Sequence, residues 1–147
     1  MMMPTFETDR FTTEQGLRIT VQVPEMHVRE RLDAVCAESA LAHGDYDHVS
    51  FTTAPGVQRF RSSGRGRNAA TTGAVEVPCM ELSFFLPDNG IAADVVKTIY
   101  ARHPYEEPVI YVQPCVRTLH IRGLDEDNPN RFWNRETLAW VPFAHQS

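Results

Sequence analysis

Cysteine is scarce in this chain, and the little there is does not pair. Cys36, Cys79 and Cys115 are odd in number, far apart, and free of Cys-x-x-Cys or zinc-ribbon spacing. They read as reduced thiols, which excludes a disulfide framework. Long apolar runs are also missing: none approaches the ~20 residues that a bilayer-spanning helix needs. There is no excess of positive charge; the formal net charge of −5 argues against general nucleic-acid binding. The opening Met1-Met2-Met3-Pro4-Thr5-Phe6-Glu7-Thr8-Asp9 has no basic region and no apolar core. It does not read as a secretory signal, so a cytoplasmic location is expected. Catalytic signatures are absent too. The sequence has no Gly-x-Ser-x-Gly elbow, no Gly-Lys-Ser/Thr of a P-loop and no internal repeat. No catalytic residue is assigned, and an enzyme is not the favoured class.

What is present fits one soluble domain over residues 1–147. At 147 residues, 42% hydrophobic and 22% charged, it can bury a sizeable core, about two-thirds of its unfolded surface. Leu17 to Val23 alternates strictly, with Leu17, Ile19, Val21 and Val23 on one face, which predicts a half-buried strand. Pro24 opens a helix with Val28, Leu32, Val35, Cys36 and Ala40 on one stripe, and Gly44 is placed to cap its end. Tyr46 to Thr53 predicts a second strand, with a shorter β-like piece from Val57 to Phe60. Cys79 to Leu86 predicts a third strand, with Met80, Leu82, Phe84 and Leu86 on its apolar face. Asp88 or Asn89 caps a second helix carrying Ile91, Val95 and Ile99, and Val109 to Val112 form the fourth strand. The order β-α-β-β-α-β is the α+β, ferredoxin-like unit. Residues 115–147 form a C-terminal extension. Arg117 to Arg122 could add a strand, and Phe132, Trp133, Leu138, Trp140 and Phe143 are too aromatic for a disordered tail. The extension is expected to pack on the core or on a neighbouring subunit.

Three places carry chemistry. Between the second helix and the fourth strand, His103-Pro104-Tyr105-Glu106-Glu107-Pro108 sets an imidazole, a phenol and two carboxylates between prolines. Pro104 ends a helix and Pro108 suits a strand start or edge, so the corner is stiff. Tyr105 could anchor it, His103 could cap the helix, and Glu106 or Glu107 could pair with an arginine across a subunit contact. Alternatively His103 and Glu106 are metal ligands or an acid–base pair. The break at Pro104 disrupts the helical i, i+3 geometry, which favours the structural role. The connection to the third strand carries Arg59, Arg61, Arg65 and Arg67 among Gly and Ser, a composition suited to anions but commoner in plain solvated loops. His48 and Glu81 are expected as cross-strand neighbours on the open face of the sheet, with Ser50 and Ser83. Repeated around an oligomer axis, they could hold a metal or set the subunit register. The candidate ligand-binding residues are therefore His103, Tyr105, Glu106, Glu107, Arg59 and Arg61; the candidate metal ligands are His48, His103 and Glu106.

The corner, following Val23-Pro24-Glu25 and Gly44-Asp45-Tyr46-Asp47-His48-Val49-Ser50-Phe51-Thr52-Thr53, resembles the insert domain of the YqfO-like dinuclear-metal family. A close relative of the corner occurs in the CutA divalent-cation-tolerance proteins, which share the trimeric architecture of the PII signalling proteins. The resemblance covers roughly residues 17–114. It implies a PII/CutA-like ferredoxin fold and a homotrimer with helices outside and sheets inward. It does not imply the dinuclear metal centre, which in larger members is built in flanking domains. The expected function is an oligomeric binding or regulatory module whose ligand, a small anion, nucleotide or divalent metal, lies between subunits. The alternatives are a metal-dependent hydrolase-like enzyme using His103, Glu106 and His27, and a structural domain that pairs with a separate partner protein.

Overall fold

The computed structural model describes residues 3–146. The strands are β1 (Phe11–Val23), β2 (Phe51–Thr52), β3 (Gly56–Phe60), β4 (Val75–Pro87) and β5 (Ile110–His120). The helices are α1 (Val28–Glu38), entered through a 3-10 turn at Glu25–His27, and α2 (Ala92–Arg102). The sheet runs β2-β4-β1-β5, with β3 pairing the outer half of β4. All its pairings are antiparallel. The expected β-α-β-β-α-β order is present, with β3 and the start of β4 added as a hairpin.

Alternation on the central strands explains the core. Ile19, Val21 and Val23 of β1 lie beside Leu82, Phe84 and Leu86 of β4, and all are buried. Val35 of α1 and Val95 and Ile99 of α2 close over them. Full burial of one such side chain is worth about 1.5–3 kcal/mol, so this face fixes which way the sheet looks. Leu17 and Met80 sit at its rim, half-buried. Neither Asp88 nor Asn89 caps α2 as expected: Ile91 holds the N-cap position without a side-chain cap, and the Asn89 side-chain oxygen accepts the Ile91 N–H at 3.2 Å in the turn before the helix. Arg31 is the exception on α1. It is buried, lies 2.9 Å from the exposed Glu30 carboxylate, and leaves its Nε without an acceptor.

Several expected boundaries move. α1 stops at Glu38 because Ser39 is already extended, so Gly44, at φ +61 in a later turn, is not its cap. The expected strand over Tyr46–Thr53 shrinks to Phe51–Thr52. Leu41 and His48 both adopt positive φ, and His48 and Val49 donate their N–H groups back to Ala40 and Leu41. Residues 39–50 therefore fold on themselves instead of joining the ladder. β5, in contrast, runs on through His120, so Arg117 to Arg122 adds no separate strand. Its second half pairs with Phe11–Gly16, the part of β1 with no strict apolar alternation. Pro114 is tolerated because β5 is an edge, where a missing N–H need break no ladder bond.

Beyond β5 the chain turns around Asp125. This buried carboxylate accepts hydrogen bonds from Arg10 at 2.5 Å and Asn128 at 3.1 Å, and pairs with Arg131 at 3.0 Å. Val141 is buried, but Trp140 is 67% and Phe143 90% exposed.

Hydrogen bonds from Arg10, Asn128 and Arg131 hold the Asp125 carboxyl well below its usual 3.8. Its contribution to folding is therefore full above pH 3.8 and lost as pH falls through the lower folded value. Asp125→Asn should loosen residues 121–146 at neutral pH. The check is tryptophan fluorescence and proteolysis; a variant indistinguishable from the parent would refute the role of this carboxylate.

Candidate functional site: an arginine-lined cleft

The corner is built around a histidine with no free nitrogen. Pro104 forces His103 out of helical geometry, to φ −71 and ψ 139, immediately after α2. The ring turns inward and is buried. Its Nε2 is 2.7 Å from the Gln22 carbonyl, and its Nδ1 is 3.0 Å from the Tyr105 N–H. A carbonyl needs a donor and an amide needs an acceptor, so Nε2 carries the proton and Nδ1 is bare. Burial pushes the His103 pKa below its ordinary 6.5; Arg31 and His27 add to that, against the pull of the Gln22 carbonyl. His103 is thus a neutral joint between the end of α2 and β1. As the C-cap residue of α2 it donates its backbone N–H to the Ile99 carbonyl, but its ring bonds no helix carbonyl, and neither ring nitrogen is open to a metal or a proton-transfer partner.

Gln22 is held from both sides, because its own N–H donates to Val109 just before β5. Tyr105 is half-buried, with its ring 4.9 Å from that of His103. Burial raises the Tyr105 pKa above 10.0, so the phenol stays protonated.

On the other side stands the β3–β4 hairpin, whose tip comprises residues 61–74. Ser62 organises it. The Ser62 N–H donates to Thr71 Oγ1 at 3.0 Å, its hydroxyl donates to the Asn68 carbonyl at 3.1 Å, and the Gly64 N–H donates to Ser62 Oγ at 3.2 Å. Between hairpin and corner lies an open cleft of about 980 Å³. Arg59, Arg61, Arg65 and Arg67 line one wall; Tyr105, Glu106 and Glu107 line the other. Gln58 and Gln22 meet at its base, joined by a 2.8 Å side-chain hydrogen bond. Glu106 Oε1 accepts the Arg67 N–H at 2.7 Å. None of the four arginines forms an ion pair among the described residues.

Of the candidate ligand-binding residues, Tyr105, Glu106, Glu107, Arg59 and Arg61 thus share one cleft, with His103 behind it. Tyr111 lines the cleft too; nothing in the sequence singled out Gln22, Gln58 or Tyr111 as site residues, and the hairpin geometry places them here. The candidate metal ligands do not come together. His48 is exposed beside Asp47, with Nδ1 2.8 Å from the carboxylate, and lines a separate hollow with Glu25, Asp33 and Cys36. Glu81 is not its cross-strand neighbour. The Glu81 N–H donates to Thr53 Oγ1 and its carboxylate faces Gln22, on the helix-free side of the sheet. Ser83 lies opposite Phe51, not Ser50, and bonds Arg18 and Thr20. No group of three or more His, Cys, Asp or Glu able to hold a metal occurs among the described residues. Cys36 lines the smaller hollow, but burial and the charges of Asp33 and Asp47 raise its pKa, so it is no activated nucleophile.

No protein-family model matches the chain. No curated protein matches it either. Solved structures do. A Bacillus cereus protein related to NIF3 is similar at 22% identity and a TM-score of 0.61, over 80% of this chain and 29% of its own. The chain therefore spans less than a third of that protein's length. A divalent cation tolerance protein from Thermus thermophilus is similar at 20% identity and a TM-score of 0.51, over 69% of this chain and 84% of its own. CutA from Synechococcus elongatus gives 19% identity and 0.50, over 78% and 85%. The fold is PII/CutA-like. The resemblance carried by the corner motif, to the YqfO-like insert domain and to CutA, holds as a likeness of fold. Among the described residues, no helix is long and apolar enough to cross a membrane.

His103→Ala would leave the Gln22 carbonyl and the Tyr105 N–H without partners, at about 2–4 kcal/mol of stability. Because its folded pKa is lowered, His103 contributes fully above pH 6.5 and loses that contribution as pH falls through the folded value. Urea unfolding at pH 7.5 and pH 5 should show a smaller pH dependence in the variant. An unchanged dependence would contradict the neutral assignment.

Proposed function

We propose that the chain is a PII/CutA-like binding or regulatory module, not an enzyme, that works as a homo-oligomer and holds a small anion in the arginine-lined cleft. The observation that carries this reading is the set of four arginines, without an ion pair among the described residues, on one wall of a braced cleft in a chain of net charge −5. Guanidinium groups present paired donors that match phosphate and carboxylate oxygens. Nucleotide phosphates belong to the same class. A divalent cation, suggested by the names of the CutA neighbours, would find Glu106 and Glu107 in the cleft and would need its remaining donors from the anion or another chain.

Uncovered surface supports the oligomer. Tyr111 and Val112 on the edge strand β5 are 53% and 47% exposed, and among the described residues no helix covers the second face of the sheet. We infer a homotrimer, with the exposed aromatic residues of the extension available to cover a neighbour's β5. A partner protein of a different kind would meet the same surface.

Light scattering should give a mass near three times 16.7 kDa; a monomer at micromolar concentration would sink the trimer. Calorimetric titration with pyrophosphate at low salt should detect binding. Arg61→Ala or Arg65→Ala should weaken it about tenfold, the loss expected for one charge-assisted hydrogen bond. Retention of full affinity by both variants would remove the cleft from consideration.

A further inference from the structure

The cleft already contains an anion, and it belongs to the chain. Glu106 Oε1 accepts the Arg67 N–H at 2.7 Å, the single hydrogen bond between residues 61–74 and the corner among the described residues. The carboxylate also lies so close over Gly66 that a Cβ there would collide with Oε1. Gly66 has no positive φ, and the crowding comes from the far end of one side chain, so an added Cβ would displace the Glu106 carboxylate and leave the backbone in place. Yet none of the four guanidinium groups forms an ion pair with that carboxylate. Glu106 therefore takes the backbone seat and leaves the side-chain donors unused.

We propose that Glu106 is a built-in competitor for the cleft: its carboxylate latches the arginine loop to the corner, and a multiply charged oxyanion binds by displacing it and releasing the loop. This rests on the anion reading above and adds its mechanism. A tethered group competes at an effective concentration of order millimolar. A monocarboxylate offers the Arg67 N–H only what Glu106 already offers, so it gains nothing by exchange. A polyanion adds bidentate contacts to the idle guanidinium groups. Once it is seated, like-charge repulsion keeps Glu106 out, and the loop is freed from the helix-to-strand corner.

The test uses the full chain and four variants. Glu106→Ala removes the latch. Gly66→Ala expels the carboxylate but keeps its charge. Glu106→Gln keeps an acceptor oxygen without the charge. Glu107→Ala removes one charge from the same cleft without touching the latch. Amide hydrogen exchange at Arg67 and tryptic cleavage after Arg65 and Arg67 report the loop without any ligand. Titrations with pyrophosphate, citrate and acetate report binding and separate phosphoryl from carboxylate ligands. The expected result is at least fivefold faster exchange and at least fivefold tighter pyrophosphate or citrate binding in Glu106→Ala and Gly66→Ala. Glu106→Gln should lie between these and the parent, Glu107→Ala should gain less than Glu106→Ala, and acetate should bind none of them. Unchanged exchange in Glu106→Ala overturns the latch while leaving anion binding intact. An equal gain in Glu107→Ala reduces the effect to net charge and overturns displacement. Faster exchange with no anion bound by parent or variant overturns the anion reading and displacement with it.

Discussion

Every other element takes its position from β1. It pairs along its length with β5 and, through its second half, with β4. A strand flanked on both sides has no freedom of register, since a slip by one residue would turn Ile19, Val21 and Val23 out to solvent. The helices then have one face to cover. The end of β1 has a second duty, because the Gln22 carbonyl is the acceptor for His103 and the Gln22 N–H binds Val109. The helix-to-strand corner is thereby locked to the centre of the sheet.

That lock separates two kinds of structure at the cleft. One wall is rigid: a buried imidazole, a half-buried phenol and two prolines leave the corner little freedom. The facing wall is a hairpin tip organised by its own serine and threonine and, among the described residues, tied to the corner by the Glu106 hydrogen bond. A rigid wall facing a charged, lightly tethered one is the arrangement on which the binding module we propose rests.

The parts of the fold that were legible in sequence are those where packing and periodicity agree. Leu17 to Val23, the apolar face of β4 and the α2 stripe are read correctly because one side of each meets the core and the other meets solvent. The break at Pro104 is legible for a covalent reason. What was hidden follows from backbone geometry that composition does not announce. Leu41 and His48 adopt positive φ, so a segment with strand-like residues folds into a loop, and the expected pairing of His48 with Glu81 disappears. Thr12 to Gln15 is a strand because β5 lies beside it, not because its side chains alternate. At the site, the Arg and Glu types were visible, but their meeting depends on the β3–β4 hairpin bringing residues 61–74 beside the corner, a long-range placement that no local pattern announces.

Pro114 gives the outer margin of β5 a particular grammar. A proline in the middle of an exposed eleven-residue strand interrupts the row of amide donors that an incoming strand would read. The stretch after it is already partly taken, since the His43 ring lies 3.0 Å from the Thr118 carbonyl, and the stretch before it is too short to template a continuous ribbon. A chain with an open sheet margin would ordinarily risk polymerising into fibres. Here one imino acid sets an upper length on any strand that could dock, which works against an endless stack.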